Sequence, residues 1–369
     1  MELTGRTTGG GTGRAPSREE LAVGLRAALA HHWHPVCTEA ELPGPVGVRL
    51  LGRELVVARL GAGEGSGGTV VALDDRCPHR STRLSVGRVE GDCVRCAYHG
   101  WAFGADGACT DIPSLPDGPI PSRARVGAYD VTVRYGLVWV RLDGSVDTRV
   151  PACPAFDEPA MKILAGEPYT WPVSALRRVE NFVDLAHFAF VHDGTLGRRD
   201  EPVPPLPAID RVDGEMRFAY EPPALPEEPD DTALLGSSAY RMPMPCTVDI
   251  AFLYPDGRRR RLWMTASPVD DATCRCFWFV CRTDDLAGDD REHLAFQDLV
   301  LAEDEPVVCN QVPPELPLDP TAELSVRTDK VSIEYRRWLR ELATAALEGP
   351  SAYASALFGA RSASSASSG

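Results

Sequence analysis

The chain has 369 residues, 44% hydrophobic and 25% charged, with a formal net charge of −15 at pH 7. That length supports two domains with separate cores, and the acidic balance argues against nucleic acid or an anionic membrane as partner. Met1 to Ser17 is rich in Gly, Thr and Arg without an apolar core, and no run approaches the roughly 18 apolar residues of a membrane span. A cytoplasmic location is expected, and the eleven cysteines then read as thiols or metal ligands rather than disulfides.

Residues 1–16 and the Ser/Ala/Gly tail at 359–369 are expected to be disordered. Ser17-Arg18-Glu19-Glu20 has the form of a capping box. It opens a helix expected to reach about His32, with Leu21, Leu25 and Leu29 on one side, and Trp33-His34-Pro35-Val36 ends it. The period then changes to that of strands, at 46–50, 54–60, 69–73, 129–134 and 137–142, as in a small antiparallel β domain. Gly63-Glu64-Gly65-Ser66-Gly67-Gly68 matches the spacing of a dinucleotide fingerprint, but a strand follows it where a helix is required. It reads as a hairpin loop, and no nicotinamide site is expected.

Two loops of this domain carry metal-ligand spacing. Cys77-Pro78-His79 and Cys96-Ala97-Tyr98-His99 each offer one thiolate and one imidazole, with sixteen residues between His79 and Cys96. Facing each other, they suit a [2Fe–2S] cluster with cysteines on one iron and histidines on the other. Neutral histidines raise the potential of such a cluster to roughly −150 to +300 mV, against about −400 mV for all-cysteine ferredoxins. Gly87, Gly91 and Gly100 permit the tight backbone these loops need. Cys93-Val94-Arg95-Cys96 is also a Cys-x2-Cys pair, so a structural zinc site that uses Cys93 is the competing reading.

Residues 144–176 form a proline-containing connection and the first strand of a second domain. The stretch Glu180-Asn181-Phe182-Val183-Asp184-Leu185-Ala186-His187-Phe188-Ala189-Phe190-Val191-His192 reads as a core helix, apolar on nearly all sides. Charge or imidazole in such a place needs a partner or a metal. Asp184 and His187 share a helix face, whereas His187 and His192, five apart, diverge by about 140°. A π-bulge between Phe188 and His192, or a helix end there, is expected to bring the imidazoles together. Two core histidines with local hydrogen bonds are the alternative.

Residues 198–229, rich in Pro, Asp and Glu with one strand at 216–220, read as a lid or entrance. Strands return at 247–254, 260–266 and 275–282, with a hairpin turn at Pro255-Asp256-Gly257. The basic run at 258–261 reads as a solvated strand end, with docking of an acidic electron donor as the alternative. A helix at 292–302 should kink or restart at Pro306. A last helix at 330–347 carries Tyr335, Trp338, Leu339 and Leu342 on its apolar face.

Cys77-Pro78-His79-Arg80 and Cys96-Ala97-Tyr98-His99-Gly100-Trp101 resemble the cluster loops of Rieske proteins. Glu180 through His192 resembles the mononuclear iron motif of Rieske non-haem iron oxygenases. The two motifs stand in that family's order, and the similarity covers roughly 25–345. Asn181 and Asp184 ahead of the first histidine are similar to the vanillate demethylase and dicamba demethylase type. The resemblance implies an α+β fold: an N-terminal antiparallel β Rieske domain with its leading helix at 17–148, and a C-terminal catalytic domain of antiparallel sheet flanked by helices, of helix-grip type, at 149–358. It implies a [2Fe–2S] cluster on Cys77, His79, Cys96 and His99, and one mononuclear Fe(II) on His187, His192 and Asp304. Asp304 matches the family's position for the third ligand; Glu303 and Asp298 are its rivals. Two imidazoles and a carboxylate make the facial triad of non-haem iron oxygenases, with open sites for dioxygen and substrate. Asp184 is expected to orient His187 and, in a head-to-tail homotrimer, to touch His99 of a neighbouring subunit. Asn181 is expected near the iron. Cys309 departs from the acid that relatives often carry there.

The activity so implied is that of a terminal oxygenase. It takes electrons from a separate NAD(P)H-dependent reductase, with or without a ferredoxin, and uses O2 to hydroxylate or oxidatively demethylate a small cyclic or aromatic molecule. Monooxygenation is favoured. Phe188, Phe252, Tyr240 and Trp278 fit a substrate pocket or ordinary core. A Rieske electron-transfer or redox-sensing protein without oxygenase activity is the alternative, and a zinc-stabilised binding protein is the third reading.

Overall fold

The computed structural model describes residues 14, 16–62, 67–220 and 237–359. The disorder expected at 1–13 and 360–369, the glycine-rich loop at 63–66, and residues 221–229 of the expected entrance lie outside the described residues.

Helix α1 (Arg18–Ala30) begins at the expected capping box: the Ser17 hydroxyl accepts from the Glu20 N–H, and the Glu20 carboxylate accepts from the Ser17 N–H. Ten strands follow: β1 (His34–Thr38), β2 (Val46–Leu50), β3 (Arg53–Leu60), β4 (Thr69–Asp74), β5 (Arg88–Glu90), β6 (Cys93–Arg95), β7 (Ala102–Phe103), β8 (Cys109–Asp111), β9 (Ala128–Arg134) and β10 (Leu137–Arg141). Six of them form one antiparallel sheet in the order β1-β10-β9-β4-β3-β2, and β5-β6-β7-β8 form a second, smaller sheet. The hairpin expected around the glycine-rich loop is there, because β3 and β4 pair up to Leu60 and Thr69. Alternation along β3 splits its side chains between two cores. Val56, Ala58 and Leu60 pack with Cys77 and Cys96, while Leu55 and Val57 pack with Val138 and Val140.

The small sheet was not legible, since strands of two or three residues are too short to show a period of two. Likewise His34 and Pro35 do not merely end a helix. They enter edge strand β1, where proline's missing N–H is tolerated.

The second part of the chain contains β11 (Lys162–Ala165), β12 (Tyr169–Trp171), α2 (Ala175–Val183), α3 (Phe188–Val191), β13 (Ile209–Val212), β14 (Glu215–Tyr220), β15 (Ser237–Met244), β16 (Thr247–Leu253), β17 (Arg259–Asp270), β18 (Thr273–Arg282), α4 (Asp290–Val308), α5 (Lys330–Glu348) and α6 (Pro350–Phe358). Its strands make an antiparallel sheet ordered β11-β18-β17-β16-β15-β14-β13, with β12 also paired to β18. One core joins Met216, Met242, Val248, Met264 and Trp278 of the sheet with Val179 and Val183 of α2 and Tyr335, Trp338 and Leu339 of α5. Although α1 leads the N-terminal domain in sequence, its Ala28 and Leu29 lie in this same core. Gly24 lets it approach α5, for a Cβ there would stand 2.2 Å from the Ala343 carbonyl oxygen.

Several expectations are corrected. The stretch 180–192 is not one helix with a π-bulge. The Asp184 carboxylate takes the Ala186 N–H at 2.8 Å, its backbone turns extended (ψ 121°), and α2 stops. Such local side-chain bonds compete with helix continuation. The expected helix end at His192 is present, because His192 caps the one-turn α3. Nor is the stretch wholly buried: Phe190 is 59% exposed. Pro306 does not restart a helix; α4 runs through it to Val308. The helix at 330–347 is present but not last, since Pro350, at N1, opens α6. The basic run is no free patch. Arg258, Arg259, Arg260 and Arg261 pair with Asp256, Glu158, Asp284 and Asp249. Among the described residues no helix is long and apolar enough to cross a membrane.

Helix α2 is fixed to α5 by charge. Arg336 donates to the buried Glu180 at 2.7 Å and to Glu323 at 2.6 Å, and Arg177 donates to Glu323 at 2.6 Å. Removing one partner leaves a buried charge uncompensated, which costs about 3–5 kcal/mol. Arg336→Met is therefore expected to lower the urea midpoint by that equivalent. Adding Glu180→Gln should recover most of the loss; an additive double variant would mean the pair is not coupled.

Candidate metal centres and substrate cavity

The first site lies where two loops of the N-terminal domain meet. Cys77 precedes a tight turn in which the Ser81 N–H donates to the Cys77 carbonyl and the Cys77 N–H to Thr82, both at 2.9 Å. The second loop closes by a bond from the Gly100 N–H to the Cys96 carbonyl at 3.1 Å, with Gly100 at φ +73°. Gly87 permits close approach, since a Cβ there would meet the Arg95 carbonyl oxygen at 2.1 Å. Both thiols are buried, and the His79 and His99 rings lie 4.4 Å apart. His79 stacks on Trp101 at 4.7 Å, and its buried Nδ1 has no hydrogen-bond partner.

These residues fit a cluster. Burial and the neighbouring His99 hold the His79 imidazole below its ordinary value, in the neutral form a metal needs. Burial pushes the Cys77 thiol up to about 11, so holding a metal there releases a proton. Cys93 points elsewhere; its thiol donates to the Glu90 carbonyl at 3.0 Å. Among the described residues, the one group compact enough for a single ion is not here but in the second domain, which disfavours the zinc reading.

That group is His187, His192 and Asp304, whose ligand atoms all lie within 4.8 Å of one another. The turn after α2 presents His187, the end of α3 presents His192, and α4 presents Asp304. His187 Nε2 and His192 Nε2 lie 3.5 and 3.3 Å from Asp304 Oδ1. Burial raises the Asp304 carboxyl, but His192, Arg178 and His187 outweigh it and hold it below the ordinary range. Burial likewise pushes His192 down, and the Asp304 and Glu303 carboxylates reverse this. Two imidazole nitrogens and one carboxylate oxygen from three elements, beside an open cavity, fit an iron that keeps coordination positions free.

The rivals separate cleanly. Asp298 is exposed on α4. Glu303 turns to the far side of His192, taking Nδ1 at 2.7 Å while Thr195 donates to it at 2.7 Å. Asn181 touches the site, with Nδ2 3.1 Å from Asp304 Oδ1. Asp184 Oδ2 lies 3.5 Å from His187 Nδ1, too far for a hydrogen bond, and that nitrogen is unpartnered.

A cavity of about 310 Å³ adjoins the triad, between the sheet and α4. Phe188, Phe252 and Tyr240 line it, with Phe182, Phe296 and Gln297. Trp278 does not; it is buried in the core beside Gly166. Gln297 is 8% exposed, and its amide has no hydrogen-bond partner among the described residues. Glu303 entered the sequence reading only as a rival ligand. Thr195 and Gln297 were missed, because nothing local marks a polar residue that faces a cavity. Arg178 was missed too, although an arginine three positions before Asn181 on an apolar helix was an available signal.

Fold and sites together define an iron-dependent redox enzyme with a cluster domain and a separate catalytic domain. The Rieske [2Fe-2S] domain model matches residues 32–129, and the vanillate O-demethylase oxygenase C-terminal domain model matches 171–345. Two Pseudomonas putida proteins are similar over nearly the whole chain. Methylxanthine N1-demethylase NdmA is 43% identical, covering 90% of this chain and 94% of its own length; methylxanthine N3-demethylase NdmB is 44% identical, covering 88% and 92%. The solved structure of NdmA with caffeine superposes with a TM-score of 0.82 at 42% identity, over 91% of this chain and 97% of that one. Dicamba monooxygenase, at 20% identity and a TM-score of 0.70, shares the fold. The chain belongs to the α subunits of the Rieske non-haem iron oxygenases. Its cofactors are a Rieske [2Fe–2S] cluster and the mononuclear iron whose site is His187, His192 and Asp304.

A carboxylate on the second nitrogen of a ligating histidine orients the ring and raises its basicity, and loss of such a partner typically costs 10–100-fold in metal affinity. Glu303→Ala is expected to weaken Fe(II) binding at the mononuclear site by that factor in anaerobic titration, with the visible spectrum of the cluster unchanged. Unchanged affinity would show that packing alone holds His192.

Proposed function

We propose that this enzyme is an oxidative N-demethylase of a small, flat, methylated heterocycle that carries ring amide groups, the class to which the methylxanthines of its relatives' names belong. The observation that carries this reading is the largely apolar cavity beside the triad with the Gln297 side chain on its wall, its amide without a hydrogen-bond partner among the described residues. A primary amide offers a donor and an acceptor together, which matches the paired C=O and ring nitrogen of such a heterocycle. Phe182, Phe188, Phe252 and Phe296 supply flat apolar surface for the ring.

In the net reaction, N–CH3, O2, two electrons and two protons give N–CH2OH and water, and the carbinol then breaks to N–H and formaldehyde. The cluster relays electrons and the iron activates dioxygen. Cys77, His79, Cys96 and His99 hold the first; His187, His192 and Asp304 hold the second. The apolar walls keep water from the reacting methyl group, and Gln297 fixes which nitrogen faces the triad. Asn181 donates to the ligating carboxylate, and Asp184 acts on His187 through the backbone, by ending α2 and setting the turn that presents the ring. A separate NAD(P)H-dependent reductase supplies the electrons, and a head-to-tail homotrimer brings Asp184 against His99 of a neighbouring subunit. Support for this last reading is that His99 is exposed and the Asp184 side chain is 31% exposed.

Purified anaerobically, the protein is expected to carry about three irons and two sulfides per chain. With a surrogate reductase it should release formaldehyde from N-methylxanthines, one per methyl lost. Two irons with no further uptake of Fe(II) would favour the electron-transfer reading instead. Gln297→Leu should raise KM by about tenfold or more, equivalent to ~1.4 kcal/mol, with iron and sulfide unchanged. An unaltered KM would remove Gln297 from recognition.

A further inference from the structure

Arg178 has no part in the reaction proposed above, yet its side chain is completely buried in α2. Its guanidinium lies over the rings of Phe182 and Trp171, 4.1 and 4.6 Å from their centroids. A buried cation is costly unless it is paired and hydrogen-bonded, and here two of the three nitrogens are used while Nη2 has no hydrogen-bond partner. Nε donates to the Tyr169 hydroxyl at 2.8 Å. Nη1 donates to Asn181 Oδ1 and lies 3.5 Å from Asp304 Oδ2. Asn181 in turn points Nδ2 at Asp304 Oδ1, 3.1 Å away, and at His187 Nε2, 3.5 Å away.

Arginine is a donor only and has no acceptor. The amide atom that meets Arg178 therefore has to be oxygen, and this decides which way Asn181 is turned. Its NH2 group, which offers no lone pair to a metal, faces the triad. Turned over, the amide would instead present a carbonyl oxygen, a ready ligand for a divalent cation.

We propose that Arg178 is a positioning residue that locks the Asn181 amide with its NH2 toward the triad, so that the centre takes three protein ligands and its other positions stay open. The same guanidinium draws Asp304 Oδ2 away from the two imidazoles and leaves Oδ1 to face them. This rests on the triad being the iron site.

The test uses the full chain with Co(II) at the mononuclear site, and azide as the probe of an open position, followed by the visible absorption of Co(II). Arg178→Lys keeps a donor-only group and is expected to bind azide within threefold of the parent. Arg178→Gln can donate or accept and frees Asn181 to turn, so azide affinity should fall at least tenfold while Co(II) stays bound. Adding Asn181→Leu to Arg178→Gln removes the amide and should restore azide affinity to within threefold of the parent, although the positive charge is still missing. The proposal is overturned if Arg178→Gln binds azide like the parent, if Asn181→Leu fails to restore it, or if Arg178→Lys loses it. Failure of the parent protein to take up Co(II) would instead refute the triad as a metal site.

Discussion

A carboxylate as buried as that of Asp304 stays charged only where donors and cations surround it, and the arrangement of the catalytic domain follows from supplying them. Four pieces of chain converge on this one group: α2 with Arg178 and Asn181, the turn with His187, the end of α3 with His192, and α4 itself. Each has its own anchor. The Glu180–Arg336–Glu323–Arg177 network ties α2 to α5. The early stop of α2 at Asp184 swings the chain so that two histidines five residues apart face the same carboxylate. Helix α4 carries Asp304, Glu303 and Gln297 together, and so couples the metal site, the support of His192 and the wall of the adjoining cavity on one element.

The N-terminal domain meets a different constraint. Two loops have to bring thiols and imidazoles together while their backbone turns sharply enough to leave room for the cluster. The small β5–β8 sheet does this by holding the second loop between two short strands, with Gly87 allowing the chain to pass close to Arg95. The cysteines sit in the packed interior and His99 at the surface.

Much of this was legible because the chemistry constrains residue type. The paired Cys and His loops, the histidines at 187 and 192, the capping box at Ser17 and the hairpin at Pro255-Asp256-Gly257 are local patterns with local causes. What was misread depended on competition between neighbours. The Asp184 side chain outcompetes helix propagation, which no apolar period reports. Pro306 is tolerated inside α4, because the surrounding helix outweighs one lost backbone bond. Trp278 and Phe252 look alike in sequence, yet one is core and the other lines the cavity.

The sequence by itself determined the two motifs, their order, the α+β class and hence the kind of enzyme, because cluster and iron each demand particular ligands at particular spacings. Tertiary structure alone decided which of Asp298, Glu303 and Asp304 faces the histidines, since that depends on how α4 is rotated against α2. It also decided that Gln297 stands on a cavity wall, without a hydrogen-bond partner among the described residues, and that Arg178 meets Asn181 and Asp304. Those are relations between side chains brought together from distant or differently turned segments, and no period or spacing along one segment encodes them.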